Sequence, residues 1–301
     1  MALSKKILSR ILCLLAYTIF GFSFLFSKMA LNRVSPLTLV SVRFLMAFLL
    51  LNGILLLGKE TLHLKGKPVW KLLLLGTVQP VIYFLAESYG ISMTSASYAG
   101  VMLGMLPVVG LLCGVLFLKE KVTRKGILCV LLSVLGVVLT TIGGPVKFSF
   151  LGTLLLFTAV FSAAFFGVLS KNTAEVFTAF ERTYVMFLLG SVVFTLLALL
   201  EGKGDLSLFT RALTDGKVLV SVLYLAGLSS VAAFLFLNKA LEHISVGEET
   251  IYSNFCTVVS IPAGILILHD SFSVYQLLGI LIILVSVFLI SMEKNGHTVE
   301  H

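Results

Sequence analysis

Charge is scarce in this sequence. Only 12% of the 301 residues are Asp, Glu, Lys or Arg, and just 14 residues are acidic. A soluble domain of this length needs a mostly polar surface. With 58% hydrophobic residues and a mean hydropathy of +1.10, the chain has too little polar material to build one. Cysteine is also rare. Cys13, Cys113, Cys129 and Cys256 all lie inside apolar runs, without a CxxC pair or metal-ligand spacing. They are expected to be small buried hydrophobes, and neither a metal nor another cofactor is expected. HExxH and GxSxG are both absent, and the five histidines fall in loops or near the ends of apolar runs. A polytopic membrane enzyme, the alternative of a different class, would need convergent nucleophile, base or metal ligands, so no enzymatic activity is expected. There is no basic patch with interleaved aromatics, so the net charge of +8 does not point to nucleic acid.

What the sequence does have is length in its apolar runs. Ten fall near 8–27, 36–57, 69–90, 95–118, 125–142, 150–170, 178–200, 218–238, 247–268 and 274–292, with the longest connection near 201–217. About 20 apolar residues in a helix cross roughly 30 Å of hydrocarbon. Backbone groups in lipid must be satisfied within the segment, so continuous runs of this length predict helices rather than barrel strands. MALSKKILSR followed by an apolar run has the form of a signal peptide, but nine further runs favour a retained first span.

The cations report orientation. Lys5, Lys6 and Arg10 precede the first span, and Lys59, Lys65, Lys67 and Lys71 lie around the second connection. Lys119, Lys121, Arg124 and Lys125 occupy the fourth. The positive-inside bias then predicts both termini in the cytoplasm. The apolar frame around LFLKEKVTRKG (116–126) recurs 150 residues later as LILHDSFSVYQ (266–276), without its basic residues. At that offset 83–139 aligns with 233–289 without a gap. Five spans per half is an odd number, so tandem halves have opposite topology. The second copy of this loop then lies outside and is expected to lose its cations.

These segments resemble the drug/metabolite transporter superfamily, specifically its EamA-type ten-helix members. The resemblance rests on RFLMAFLLL (43–51), SASYAGVMLGMLPVVGLLCGVLFLKEKVTRKG (95–126) and GILCVLLSVLGVVL (126–139), and it covers essentially the whole chain. The second copy departs from the pattern, with Thr257 where the first has Pro107 and with Pro262 five residues later. The resemblance implies an all-α integral membrane protein of two inverted five-helix repeats, 1–145 and 146–301, around a central cavity. Alternating access follows from either the resemblance or the inverted repeats.

Several side chains are candidates to line that cavity. Glu87 interrupts the third span, where a charge is costly unless it faces a cavity or a partner, although a solvated helix end would also explain it. Arg43 in the second span suits a substrate carboxylate or, as a packing element, the outer interface. Arg182, beside Glu181, reads as an interface ion pair. Ser245 to Glu248 reads as a capping box that accounts for Glu248. Pro80, Pro107 and Pro262 are hinge candidates because each removes a helical hydrogen bond, and Gln79 is placed to satisfy a carbonyl freed by Pro80. Tyr17, Phe20, Tyr83, Tyr98, Tyr252 and Asn254 complete the set, with core packing or an interface belt as the plainer role of each. The expected function is a secondary transporter exporting amino acids or related small metabolites from a bacterial-type plasma membrane. Multidrug or cationic-compound efflux is the alternative. The expected partners are a small-molecule substrate and the lipid bilayer. Proton coupling is left open, as is the choice between a monomer and a weak homodimer.

Overall fold

The computed structural model describes residues 2–93, 102–141, 149–268 and 273–292; all regular structure among them is helical. The helices are α1 (Ala2–Leu31), α2 (Pro36–Leu56), α3 (Trp70–Gly76), α4 (Tyr83–Met93), α5 (Leu106–Leu118), α6 (Arg124–Thr141) and α7 (Phe150–Thr173). They continue as α8 (Ala179–Glu201), α9 (Ser207–Thr214), α10 (Gly216–Leu223), α11 (Ala233–Ala240), α12 (Val246–Ser253), α13 (Phe255–Leu268) and α14 (Val274–Ser291). Short polar side chains fix many of the starts by accepting from otherwise orphaned amides. Ser35 caps α2, Ser149 caps α7, Asp215 caps α10 and Ser245 caps α12. At α8 the Thr178 and Glu181 side chains form a complete reciprocal box.

Among the described residues, six helical segments are long and apolar enough to cross a membrane. They are Lys5–Leu31, Pro36–Leu56, Trp70–Gly90, Phe150–Thr173, Ala179–Glu201 and Gly216–Ala240. Met102–Leu118 and Leu277–Ile290 are shorter apolar helices. Two of the long segments carry a widely wound turn. Thr77–Ile82 joins α3 to α4 and holds Gln79 in an extended conformation (φ −142°, ψ 118°) before Pro80. Tyr224–Ala232 joins α10 to α11. The ninth expected run is divided at Asn254 into α12 and α13.

Long helices pair along their lengths, α6 with α14 and α2 with α8. α1 packs on α11 and α13, α7 packs on α4 and α5, and α5 meets α12. Close approach of α6 and α14 depends on Gly136, where a Cβ would come within 2.6 Å of Ile283 Cγ1 and 2.8 Å of the Gly279 carbonyl oxygen. Phe44, Phe187, Phe194 and Phe234 form a buried aromatic cluster within the core. Large apolar side chains such as Leu116, Phe150, Leu200 and Leu266 remain exposed, which suits a surface facing lipid.

Charges gather at the helix ends. At the face where α1 begins, Lys67 pairs with Glu181 (2.9 Å), Arg182 with Glu242 (3.0 Å), Lys171 with Glu120 (2.9 Å) and Arg10 with Glu248 (2.6 Å). At the opposite face Arg33 pairs with Asp215, and Ser35 donates to Glu201 (2.8 Å).

Two expectations about these groups need correction. Arg182 does not pair with the adjacent Glu181. It is fully buried and donates to Ser170 Oγ, to the Ser170 and Asn238 carbonyls and to Glu242. Neighbours in a helix sequence point in different directions, so Glu181 turns instead to Lys67 and the His63 amide. The cap at Ser245 is only half a box. Its hydroxyl accepts from the Glu248 amide (3.0 Å), but the Glu248 carboxylate reaches α1.

Candidate functional site

The helices enclose a cavity of about 680 Å³. Its wall runs from Leu31, Asn32 and Pro36 at the face where α1 ends down to Tyr17 and Glu249. Seven expected lining residues lie on it: Tyr17, Phe20, Arg43, Gln79, Tyr83, Glu87 and Asn254. Tyr252 does not. It is completely buried in the core, because α12 turns that side away from the cavity, and its hydroxyl has no hydrogen-bond partner among the described residues. Tyr98 lies outside the described residues.

The polar groups are held in distinct ways. Tyr83 and Glu87 are one helical turn apart on α4, and the phenol donates to Glu87 Oε1 at 2.8 Å. Arg43 projects from α2, with Nε donating to Ser230 Oγ (2.8 Å) and Nη2 to Ser229 Oγ (3.0 Å). Its guanidinium also lies over Phe84, 5.0 Å from the ring centroid, a favourable cation–π geometry. Ser229 and Ser230 belong to the second widely wound turn, so that turn braces the arginine. Asn254, between α12 and α13, donates to Ser133 Oγ at 2.8 Å.

Gln79 satisfies no carbonyl freed by Pro80. Among the described residues its Oε1 has no hydrogen-bond partner, and the nearby Val78 carbonyl accepts from Ser162 Oγ (2.6 Å) instead. The extended backbone at Gln79 swings its side chain off the helical course on which the expectation depended. The prolines also differ from one another. Pro80 lies within a widely wound turn, whereas Pro107 sits in the first turn of α5, where a missing N–H breaks no bond. Pro107 follows the turn at Met105, which interrupts the apolar helix Met102–Leu118. Pro262 is inside α13 but exposed, away from the cavity.

Glu249 was absent from the expected set. It is 3% exposed, lines the cavity and accepts a hydrogen bond from the Tyr17 hydroxyl. Its signal was available in the doubled acid Glu248-Glu249, since one cap explains at most one carboxylate. Ser229 and Ser230 had no such signal, because serine is common in apolar helices. Among the described residues no group of His, Cys, Asp and Glu is arranged to hold a metal.

The chain is similar throughout to known transporters. It is 29% identical over 286 residues to "Uncharacterized transporter YcxC" of Bacillus subtilis, covering 92% of this chain and 91% of that protein. It is 24% identical to an "Uncharacterized transporter" of Archaeoglobus fulgidus, covering 93% and 97%. A shorter stretch of 107 residues, 36% of this chain and 34% of the relative, is 31% identical to an S-adenosylmethionine/S-adenosylhomocysteine transporter of Chlamydia muridarum. The fold matches a crystal structure with a TM-score of 0.78 at 15% identity, covering 94% of this chain and 98% of the other. The EamA-like transporter family model matches at residues 8–142 and again at 150–292, and the chain belongs to that family, within the drug/metabolite transporters.

Proposed function

We propose that this protein is a secondary transporter that exports amino acids or related small metabolites. It acts by alternating access between two inverted five-helix halves, 1–145 and 146–301, making ten spans in a bacterial-type plasma membrane with both termini cytoplasmic. The observation that carries the reading is the cavity, in which Arg43, Glu87 and Glu249 share one space with Tyr17, Phe20, Tyr83 and Phe84. A volume of about 680 Å³ suits a small solute. A zwitterion offers a carboxylate to Arg43 and an ammonium to a carboxylate, while aromatic walls accept its apolar part.

Three features support inverted halves. The family model matches once in each. Packing pairs exchange: α1 on α11 and α13 has its counterpart in α7 on α4 and α5. The turn at Thr77–Ile82 falls, at an offset of 150, within the one at Tyr224–Ala232. The cavity reaches the face where α1 ends. At the other face Arg10–Glu248 and Glu120–Lys171 each join one half to the other. In this arrangement the outside is open and the cytoplasmic side is closed by ion pairs.

Counterflow in proteoliposomes with a panel of amino acids, cationic dyes and nucleotides tests the proposal. Exchange of one or more amino acids supports it, and exchange of nucleotides alone would sink it. Two carboxylates against one guanidinium on the wall favour cationic-compound efflux as a second reading, expected to show exchange of dyes instead. The Chlamydia relative's substrates, S-adenosylmethionine and S-adenosylhomocysteine, belong in the same panel.

A further inference from the structure

Between α5 and α6 the chain turns within residues 119–123, at the face where α1 begins. Lys119, Lys121, Arg124 and Lys125 crowd into this turn and the start of α6, and the one acid among them is Glu120. That acid is committed elsewhere. Its carboxylate pairs with Lys171 at 2.9 Å and accepts from the Val246 and Gly247 amides at 3.0 and 3.4 Å. It also lies back over Gly114 of α5, where a Cβ would collide with Glu120 Oε2. Other cations at this face have acids of their own, Lys67 with Glu181, Arg182 with Glu242 and Arg10 with Glu248. Among the described residues, no acid pairs with Lys119, Lys121, Arg124 or Lys125.

The setting of these cations is amphipathic. Leu116 and Phe117 end α5, Ile127 and Leu128 lie near the start of α6, and all four are exposed, as are Lys119, Lys121 and Arg124 between them. In a spanning protein, exposed leucine and phenylalanine face hydrocarbon, while lysine and arginine extend to the headgroup level. A soluble acidic partner would match the charge and leave the apolar side chains uncovered. A phospholipid with an anionic headgroup matches both. Lys119 adds an independent sign. It caps α5 in the left-handed conformation (φ 54°, ψ 33°), with its amide donating to the Val115 carbonyl at 3.1 Å. Glycine fills such a position without the steric cost of a side chain, yet a cation stands there.

We infer that residues 119–125 form a binding site for an anionic phospholipid of the leaflet at this face. Lys119, Lys121 and Arg124 take its phosphate, and its acyl chains run along the exposed sides of α5 and α6. The inference rests on the membrane setting of the proposed function and is independent of the transported solute. An orientation bias accounts for an excess of lysine and arginine on one face. It does not require them to be clustered and without acids, or one of them to take a left-handed backbone. The site also reaches the contact between halves. Glu120 lies between Lys119 and Lys121, so a phosphate holding those two steadies the turn from which Glu120 grips Lys171 and the start of α12.

Native mass spectrometry of the whole protein in neutral detergent tests the site, with phosphatidylglycerol and phosphatidylcholine of the same acyl chains as probes. Phosphatidylglycerol is expected to bind more tightly, and removal of each cation to weaken it about fivefold. Lys119→Gly then loses about fivefold, and Lys121→Gln with Arg124→Gln about 25-fold, with phosphatidylcholine binding unchanged. Lys59→Gln with Lys65→Gln removes two exposed cations from the connection between α2 and α3, where Glu60 is also exposed. That pair is expected to keep wild-type affinity. Glycine suits the left-handed backbone, so Lys119→Gly is expected to melt no lower than wild type in phosphatidylcholine, which separates a lost headgroup contact from a lost fold. In Glu120→Gln, phosphatidylglycerol is expected to bind still but to raise the melting temperature less than in wild type. Equal affinity for the two lipids, or an equal loss in the Lys59 and Lys65 double variant, overturns the proposal. Displacement of the lipid by an equal concentration of soluble glycerol phosphate overturns it too, in favour of a free-phosphate site. An undiminished rise in Glu120→Gln overturns the link to the other half. No transported solute enters these measurements, so failure of the counterflow panel would sink the transport reading and leave this one to its own outcome.

Discussion

At the residue scale, the cavity joins groups that are far apart in sequence through specific donors. Arg43 makes two bonds with a fixed fork and stacks on Phe84. Lysine offers a point charge on a flexible stem and cannot reproduce that arrangement. Hydrogen bonds to charged groups contribute about 1.5–3 kcal/mol, and about 1.4 kcal/mol is a factor of ten. Arg43→Lys is therefore expected to lower counterflow about tenfold or more at matched expression, with a lower melting temperature in detergent. Wild-type values for both would remove the fork from the mechanism. Glu87 has a smaller set of partners, and Tyr83 supplies one of them. Glu87→Gln is expected to reduce counterflow more than Tyr83→Phe, because the first removes a charge and the second a single donor. The reverse order in initial-rate measurements would make Tyr83 the substrate contact and Glu87 its support.

At the element scale, helix contacts depend on where side chains are missing. Gly136 admits Ile283 and the Gly279 carbonyl, whereas a Cβ at Gly53 would meet nothing within 4 Å among the described residues. Overpacking costs about 1–3 kcal/mol, and glycine inside a helix costs about 0.5–1 kcal/mol relative to alanine. Gly136→Ala is expected to lower the melting temperature by about 2–8 °C, and Gly53→Ala to leave it unchanged or raise it slightly. A thermal-shift assay on both purified variants checks the pair, and equal shifts would rule out the α6–α14 contact as the cause. The wide turns belong to this scale too. Pro80 signals irregularity in the third span, whereas Tyr224–Ala232 contains no proline and gives no comparable sign in the sequence.

At the scale of the whole molecule, Arg10–Glu248 and Lys171–Glu120 tie residues of 1–145 to residues of 146–301 at the face where α1 begins. In the proposed alternating-access cycle a change of access requires contacts that differ between states, and Arg10–Glu248 and Glu120–Lys171 are expected to separate. Cysteines at positions 10 and 248, in a background lacking the native four, are expected to cross-link and stop counterflow until reduced. Continued transport with a high cross-linking yield would rule out opening at this face. In the same background, an impermeant maleimide is expected to label cysteines at 121 and 270 from opposite sides of the membrane. Residue 270 lies outside the described residues, so labelling is the direct measurement there. Labelling of both from one side would overturn the inverted halves.

The sequence alone determined the membrane setting, the helical class and the family, because each depends on local composition and on order along the chain. Apolar run length forces helices, and the family motifs are contiguous. It also marked Glu87, Arg43, Tyr83 and Tyr17 as residues to follow, since a polar group within an apolar run stands out. Tertiary structure decided how they meet. Whether a side chain faces the cavity, the core or lipid depends on the rotation of its helix and on its neighbours. That removed Tyr252 from the wall, added Glu249, and gave Arg182 to Glu242 rather than to the adjacent Glu181. Such pairings join residues up to 238 positions apart, as with Arg10 and Glu248, and become visible only when helices from both halves pack together.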